Sequence, residues 1–307
     1  MNISNGYEKQ VSLLLDVLPI VAKEACFALK GGTAINLFVR DMPRLSVDID
    51  LTYLPIAPRD ETLEGISTAL ENIAKSILAV FANVVPMKIY TAKDKRLNKL
   101  LIKSSDAQIK IEPNEILRGT VFPVSKARLC ENAKQYFKRD VVNVPILSLA
   151  DLYGGKICAA LDRQHPRDLF DVKLLLENER ITEEVRQAFV VYLACHPRPI
   201  HELLKPNFLD IRSSFEKEFS GMSMIEATLF ELQHVRKELV SIMNNKLTEK
   251  ERYFLLSIKQ GDPQWDLLPG LDIKMLPALK WKVLNIQKME KKKRQEMLAK
   301  LIAVLQI

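Results

Sequence analysis

Two aspartates separated by one residue are the first candidates for chemistry in this chain of 307 residues. Asp48 and Asp50 lie in the segment Val47–Leu51, in which apolar and acidic residues alternate. Such alternation predicts a strand that carries both carboxylates on one face, about 7 Å apart. Like charges at that spacing repel each other unless a cation lies between them. The pattern therefore predicts a divalent metal site, and Mg2+ suits it because Mg2+ needs only one or two protein carboxylates.

A glycine turn precedes these aspartates. Gly31 and Gly32 follow the apolar run Ala25–Leu29, which predicts a buried strand, and Thr33 is expected to open a short helix. Backbone N–H groups at such a turn hold phosphates, and the Thr33 hydroxyl would add one more donor. A phosphate-binding turn beside a carboxylate pair is what nucleotidyl transfer requires, with in-line attack of an acceptor on an α-phosphorus.

A third carboxylate and a basic turn lie farther along the chain. The alternation in Gln108–Glu112 predicts a strand, and if it neighbours the Asp48 strand, Glu112 would face the same cleft as the two aspartates. The segment Lys93–Arg96 is rich in positive charge and is followed by Lys99 and Lys103. Both a solvated hairpin tip and a contact to nucleic-acid phosphates are consistent with that pattern.

The second half of the chain offers another set of charged residues on a predicted helix, Leu149–Arg163. Lys156 and Arg163 are seven residues apart and therefore share one face of this helix. The helix also contains Gly154–Gly155, which should destabilise it by roughly 1 kcal/mol per glycine relative to alanine. We therefore expect another element to come close to the backbone there. For Lys156 an ordinary surface position is the alternative.

The next helix is predicted to begin at Pro166, a residue suited to the first helical position. Arg167, Asp168 and Asp171 follow near its start. Acidic residues in the first turn stabilise a helix without any further role, so Asp168 and Asp171 have a structural alternative. Later periodic segments predict further helices. They are Thr182–Cys195, Met224–Asn244, Thr248–Lys259 and Trp281–Leu305.

Bulk properties favour a soluble protein with a polyanionic partner. The formal net charge is +7, and residues 273–307 contain nine Lys or Arg against two Glu. A basic balance of this kind favours nucleic acid. No apolar run is long enough to span a membrane and the first residues lack a signal-peptide pattern, so we expect a cytoplasmic protein. The length predicts two domains, divided into residues 1–147 and 148–307.

Taken together, these motifs resemble one family of enzymes. Lys30-Gly31-Gly32-Thr33 with Ser46-x-Asp48-x-Asp50, and Lys156 followed by Arg163, Arg167, Asp168 and Asp171, are similar to motifs of the AbiE-type, MenT-like nucleotidyltransferase toxins of bacterial toxin–antitoxin systems. That family is a branch of the DNA polymerase β-like nucleotidyltransferases. A weaker similarity lies in Pro277–Lys282.

The resemblance implies an α+β fold with a mixed-sheet polymerase β-like nucleotidyltransferase domain, followed by a helical domain that completes the active site and binds nucleic acid. It implies transfer of a nucleotide from an NTP, with Mg2+ or alternatively Mn2+, typically to the 3′ end of tRNA, which blocks translation and arrests growth. A cognate antitoxin would be a partner.

The resemblance also implies roles for individual residues. Asp48 and Asp50 would bind the metal, and Glu112 is the candidate third ligand. Gly31, Gly32 and Thr33 would bind the triphosphate together with Lys156, and Arg163 and Arg167 would contact phosphate. Asp171 would complete the catalytic set, with Asp168 beside it.

Two other functions fit the same motifs. A non-catalytic RNA-binding or antitoxin-binding protein could retain the fold without binding NTP and metal. A small-molecule nucleotidyltransferase would need an enclosed acidic acceptor pocket, whereas the basic segments of this chain favour a nucleic-acid acceptor.

Overall fold

The computed structural model describes residues 5–307. The chain divides into two compact units, one made of Met1–Ser148 with Ser220–Glu226 and the other of Leu149–Phe219 with Ala227–Ile307. The boundary predicted after residue 147 therefore lies one residue from the observed division. The sequence interpretation did not assign Ser220–Glu226 to the first unit, because nothing in the pattern of that segment shows which distant residues it pairs with.

The first unit is built on a seven-stranded mixed sheet in the order β3-β4-β5-β2-β1-β7-β6. Its central strand β2 pairs antiparallel with β1 and parallel with β5. The strands are β1 Phe27–Lys30, β2 Asp48–Tyr53, β3 Val85–Tyr90, β4 Leu97–Lys103, β5 Gln108–Asn114, β6 Ser125–Ala127 and β7 Val144–Ile146.

Strand β2 shows the alternation on which the sequence interpretation depended. Ile49 and Leu51 are buried on one side, while Asp48 and Asp50 are only half-buried on the other. Central strands normally read as continuous apolar runs because both faces are covered. The polar face of β2 therefore marks a part of the sheet that stays open to solvent or ligand.

Four helices belong to the first unit. They are α1 Asn5–Val21, α2 Gly31–Ala34 with a π-helical continuation at Ile35–Val39, α3 Arg59–Val80 and α4 Glu131–Phe137. α1 and α3 contact each other and the sheet, and each buries an apolar stripe. π-helical turns are rare and are frequently found at functional sites. The one at Ile35–Val39 directly follows the glycine turn.

The segment Ser220–Glu226 joins the first unit through the loop before β2. The Leu45 N–H donates to the Met222 carbonyl at 2.8 Å, and the Met224 N–H donates to the Pro43 carbonyl at 2.8 Å. The Met222 side chain is buried as well. This segment therefore stabilises the loop that leads from α2 into β2.

The second unit is helical. Its helices are α5 Leu149–Asp162, α6 Pro166–Glu177, α7 Glu183–Cys195, α8 Ile200–Leu204, α9 Arg212–Ser214 with a π-helical turn at Phe215–Phe219, α10 Leu229–Lys246, α11 Glu249–Gln260, α12 Pro277–Gln287 and α13 Lys291–Leu305. None of the helices within residues 5–307 is both long and apolar enough to cross a membrane.

The prediction of one helix over Trp281–Leu305 is wrong, because α12 ends at Gln287 and α13 begins at Lys291. Both helices contact α11, and each keeps an apolar side toward the core. Helical periodicity therefore continues across the break, and the hydrophobic pattern gives no sign of it.

The close approach predicted at Gly154–Gly155 is present at the first glycine. A Cβ placed on Gly154 would lie 2.8 Å from the Ala188 Cβ and 2.8 Å from the Phe189 nitrogen of α7. A Cβ on Gly155 would lie 3.9 Å from the Tyr192 ring, which is ordinary contact. Gly154 therefore sets how closely α5 and α7 pack.

These two neighbours form a matched pair for a stability test. Gly154→Ala should lower stability by about 1–2 kcal/mol, because overpacking costs more than the gain in helix propensity. Gly155→Ala should instead be neutral or stabilising by up to about 1 kcal/mol. Urea unfolding followed by circular dichroism measures both, and equal effects of the two variants would contradict the packing argument.

Candidate functional site

The glycine turn approaches one of the candidate metal ligands directly. Gly31 has φ +72, a conformation that residues with a Cβ rarely adopt. A Cβ on Gly31 would lie 2.6 Å from the Asp50 Oδ2 atom. Antiparallel pairing of Lys30 with Asp50 causes this approach. Glycine is therefore required at position 31 both for its backbone conformation and for the space next to the carboxylate.

The second glycine approaches an arginine that the sequence interpretation missed. A Cβ on Gly32 would lie 2.8 Å from the Arg44 Nη2 atom and 2.8 Å from the Ser46 hydroxyl. Arg44 is only 2% exposed, and its Nη1 donates to the Leu45 carbonyl at 2.9 Å. Arg44 stands two residues before Ser46 of the quoted motif, and that proximity was the signal available in the sequence.

Thr33 connects the start of α2 to the start of β2. Its hydroxyl donates to the Asp48 carbonyl oxygen at 2.6 Å and lies 3.0 Å from the Ser46 hydroxyl. The side chain is 1% exposed. This arrangement fixes the backbone of Asp48 relative to the glycine turn. A contact of the Thr33 hydroxyl with triphosphate stays a prediction.

Glu112 lies beside Asp50, as its predicted role requires. Parallel pairing of β2 with β5 aligns Asp50 with Glu112 and Asp48 with Lys110. The Glu112 carboxylate contacts two lysines, with Oε1 2.7 Å from the Lys99 Nζ and Oε2 2.7 Å from the Lys110 Nζ. Burial by itself raises the pKa of Glu112, but the two ammonium groups outweigh it and lower that pKa below its usual value.

Lys110 provides positive charge to the whole row of carboxylates. Burial lowers its pKa, but the hydrogen bond to Glu112 and the charges of Asp48 and Asp50 outweigh burial, so the pKa is raised. The sequence interpretation did not assign a role to Lys110 or Lys99 here. The pairing of β5 with β2 and β4 brings Lys110 and Lys99 to the acidic face. No local sequence pattern reveals this register.

The donor set suits Mg2+ through two carboxylates. Within residues 5–307, no group of three or more His, Cys, Asp or Glu side chains is placed to hold a metal ion. Asp48 and Asp50 nevertheless share one open strand face, and the side-chain-free Gly31 leaves space at Asp50. Carboxylate oxygens are preferred ligands of Mg2+. Glu112 would have to leave its lysines to become a third ligand.

A cavity of about 380 Å³ opens next to Asp50 and Glu112 in the first unit. Its lining consists of Lys30, Asp50, Asn98, Glu112, Pro113, Asn114, Glu115 and Ile116. Three of these residues are acidic, but Lys99 and Lys110 compensate Glu112. The cavity is therefore close to neutral and is rich in hydrogen-bonding groups.

Part of the predicted basic turn is engaged within the first unit. Arg96 pairs with Asp60 at 3.1 Å and with Glu64 at 3.4 Å, and Lys99 pairs with Glu112. Lys93 and Lys95 are exposed at the turn itself. The turn therefore carries less uncompensated charge than its composition indicates.

In the second unit, the structure brings Lys156, Asp168 and Asp171 together. The Lys156 Nζ lies 2.8 Å from the Asp168 Oδ1 and 3.0 Å from the Asp171 Oδ2. The three side chains are 7%, 1% and 0% exposed. Arg163 adds two hydrogen bonds to Asp168, at 2.5 Å and 3.0 Å. The ordinary surface position considered for Lys156 is therefore wrong.

Local structure explains why this cluster forms. Pro166 occupies the first helical position of α6, and the His165 side chain caps the helix by accepting from the Arg167 N–H. Arg167 itself is directed to Glu218, at 3.6 Å. Burial by itself raises the pKa of Asp168. The Lys156 charge and the Arg163 hydrogen bond outweigh burial, so the pKa of this carboxyl lies well below its usual range.

Comparison with known proteins identifies a family. Residues 12–264 match the family described as "Nucleotidyl transferase AbiEii toxin, Type IV TA system". The sequence matches no curated protein.

Among solved structures, the fold is similar to MenT4, a nucleotidyltransferase toxin from Mycobacterium tuberculosis H37Rv, with a TM-score of 0.61 and 12% identity over 97% of this chain and 93% of that chain. A putative nucleotidyltransferase from H. pylori matches with a TM-score of 0.44 and 16% identity over 80% of this chain and 97% of that chain. The TM-score of this second match is too low for it to support an argument. The first confirms the predicted α+β fold, since MenT4 shares it over nearly the full length of both chains.

The Thr33 hydroxyl can be tested by isosteric replacement. Thr33→Val should lower stability by about 1–3 kcal/mol, because the part-buried bond of the Thr33 hydroxyl to the Asp48 carbonyl and its buried bond to the Ser46 hydroxyl are lost. Thr33→Ser retains the hydroxyl and should stay closer to the wild type. Urea unfolding of both variants provides the measurement. If Thr33→Val unfolds at the wild-type midpoint, the hydroxyl does not hold β2 in place.

Lys156→Met tests the buried cluster. It should lower stability at neutral pH by about 3–5 kcal/mol, because two buried carboxylates lose their ammonium partner. A depressed carboxyl pKa contributes stability that is present above about pH 4 and is lost as the pH falls further. The deficit of Lys156→Met should therefore shrink below about pH 4.

Unfolding midpoints measured at several pH values provide this comparison. Arg212→Met, which breaks the exposed pair with Asp210, is the control and should change stability by less than about 1 kcal/mol. A pH-independent deficit in Lys156→Met would contradict the electrostatic account.

Proposed function

The chain belongs to the AbiEii nucleotidyltransferase toxin family, and we propose that it transfers a nucleotide from an NTP to the 3′ end of tRNA or another RNA. Such a modification would block translation and arrest growth. A cognate antitoxin would restrain the enzyme, as the type IV toxin–antitoxin description of the family implies.

One observation carries this proposal: the Asp48–Asp50 face of β2 lies directly against a glycine turn that opens a helix. Backbone N–H groups at that turn are suited to a polyphosphate, whereas the two carboxylates are suited to Mg2+. The absence of a side chain at Gly31 lets both functions occupy adjacent space. A plain structural strand would not need a glycine with positive φ at the Asp50 carboxylate.

The proposed roles follow from this geometry. Asp48 and Asp50 hold Mg2+, which when bound neutralises the triphosphate and the leaving pyrophosphate. Gly31 and Gly32 bind phosphate through their backbone, and Arg44, directed to Gly32, adds positive charge there. Glu112 stays a candidate third ligand. If the Glu112 carboxylate turned away from Lys99 and Lys110, the two ammonium groups would be available to bind phosphate.

The chemical step is a substitution at the α-phosphorus. A bond forms between the acceptor hydroxyl oxygen and that phosphorus, and the bond from the α-phosphorus to the bridging oxygen breaks. Pyrophosphate leaves, and the hydroxyl proton passes to a carboxylate of the site and then to solvent. Asp48 and Asp50 orient the reacting groups, since they are anchored by β2 and by the Thr33 hydrogen bond.

In the second unit, we propose that the basic side chains bind NTP and that the two aspartates are catalytic carboxylates. The basic residues are Lys156, Arg163 and Arg167, and the aspartates are Asp168 and Asp171. The two aspartates pair with the Lys156 ammonium group and fix its position. Arg163 is 63% exposed although its guanidinium is bonded to Asp168, which leaves it accessible to phosphate. The bidentate geometry of arginine suits that contact.

A small-molecule acceptor is the second candidate, favoured by the 380 Å³ cavity beside Asp50. A cationic acceptor such as an amino sugar would need uncompensated acidic groups there. Lys99 and Lys110 neutralise Glu112 instead, which favours an RNA end carrying its own hydroxyl groups.

Labelling of RNA tests the proposal. Purified protein is incubated with each α-labelled NTP, Mg2+ and total tRNA, and label in RNA is measured. Asp48→Asn and Asp50→Asn should reduce transfer by roughly 100-fold or more, because charge stabilisation in the transition state is lost. Asp106→Asn, at an exposed pair with Lys9, is the matched control and should retain activity.

Sequencing of cellular RNA 3′ ends after induction then identifies the acceptor and the added nucleotide. No label with any NTP, and equal behaviour of the wild type and Asp48→Asn, would contradict catalysis. The same labelling assay with an amino sugar in place of tRNA tests the second candidate, and label transferred only to the amino sugar would support it.

A further inference from the structure

A buried lysine without a counter-ion lies in the second unit. Lys259, near the end of α11, is 7% exposed. Among residues 5–307, its ammonium group has no acidic partner and no side-chain hydrogen bond, and its electrostatic neighbour is Lys293. A buried charge of this kind is unfavourable unless something compensates it. Lys156, the other buried lysine discussed above, has two aspartates.

Other cations converge on Lys259 from neighbouring helices. Lys282 on α12 donates a hydrogen bond to the His196 carbonyl at 2.5 Å, and burial and then the charge of Lys259 lower its pKa to about 8. The pKa of His201 on α8 is lowered by burial and by Lys300 and Lys259, against the opposing effect of Glu202. That acid is already paired with Arg198, at 3.3 Å. Helix α11 contacts both α12 and α13, and α13 contacts α8, so these groups share one region.

The exposed face of α12 beside this cluster is apolar and basic at once. Trp281 is 59% exposed and Leu284 is 48% exposed, one helical turn apart. Lys280 and Lys288 are exposed on the same side of the helix. The basic run Lys291–Arg294 follows at the start of α13. A tryptophan flanked by lysines is suited to stacking on a nucleotide base while the lysines contact phosphates.

We infer that Lys259, Lys282 and Lys293 form a phosphate-binding cluster for single-stranded RNA, and that Trp281 stacks on a base of the same strand. Three observations support RNA as the occupant. The cluster lacks compensating acid, the adjacent aromatic side chain is exposed, and residues 273–307 carry nine basic residues against two acidic ones. An acidic protein would satisfy the same charges, and competition by poly-glutamate separates the two occupants.

The inference rests on the proposed function in taking RNA as the substrate, and it adds where in the second unit RNA is held. It also explains why an uncompensated buried charge is retained, since the RNA phosphate would provide the counter-charge. The uncompensated Lys259 charge would lower the stability of the free protein, and RNA binding would restore that stability.

Binding of labelled total tRNA, measured without NTP, tests this inference. Lys259→Met should weaken binding by roughly 5-fold to 10-fold and reduce the slope of log Kd against log salt by about one. Trp281→Ala should weaken binding by about 5-fold to 100-fold. Lys293→Met, an exposed position, should weaken binding without affecting the fold. Lys250→Met, an exposed lysine on the same helix α11, is the matched control and should bind as the wild type does.

Thermal unfolding separates binding from structure. The free Lys259→Met variant should have a Tm equal to or up to about 4 °C above that of the wild type, because an uncompensated buried charge is removed. Added tRNA should raise the Tm of the wild type more than that of the variant. A structural lysine predicts the reverse: a lower Tm with unchanged tRNA affinity.

Three results would overturn the inference. The first is tRNA binding by Lys259→Met and Lys293→Met with the wild-type Kd. The second is a Tm of Lys259→Met several degrees below that of the wild type. The third is competition by poly-glutamate as effective as that by tRNA, together with no effect of Trp281→Ala on binding. The last result would indicate a general polyanion or acidic protein instead. Because binding is measured without NTP, a protein that binds tRNA through this cluster but transfers no label would refute the proposed function alone.

Discussion

The close approach of the Gly31–Gly32 backbone to charged side chains is the constraint on which the first unit depends. A single Cβ at position 31 would displace the Asp50 carboxylate, and one at position 32 would displace Arg44 and Ser46. The pairing of β1 with β2, the Thr33 hydrogen bond to Asp48 and the π-helical turn after α2 all maintain this approach. The backbone proposed to bind phosphate and the carboxylates proposed to bind metal can therefore share a small volume.

Charge compensation distinguishes three groups of ionisable residues. Glu112 is compensated by two lysines at the sheet, and Lys156 is compensated by two aspartates in the second unit. Both arrangements hold charged groups in fixed positions, and the paired cations lower the pKa of Glu112 and of Asp168. Among residues 5–307, Lys259 lacks such compensation, and this difference is the basis for proposing RNA as its partner.

Several features were predictable because they depend on local spacing. The alternation around Asp48 and Asp50 predicted their common face, and the Gly31–Gly32 pair predicted a turn. The Gly154–Gly155 pair predicted a close helix contact, which the structure shows at Gly154. Family membership and the α+β fold followed from the same motifs in order along the chain. The break between α12 and α13 was missed because the apolar periodicity continues through it.

By itself, the sequence determined which residues could bind phosphate and metal, since residue type and spacing set the chemistry of a strand face or a glycine turn. Tertiary structure decided which charges those residues meet. Strand register brought Lys110 to the carboxylates, and the loop before β2 brought Arg44 to Gly32. Helix packing left Lys259 buried with no acidic partner among residues 5–307. The reason is physical: electrostatic partners are chosen by proximity in space, and pairings between distant segments leave no periodic signal along the chain.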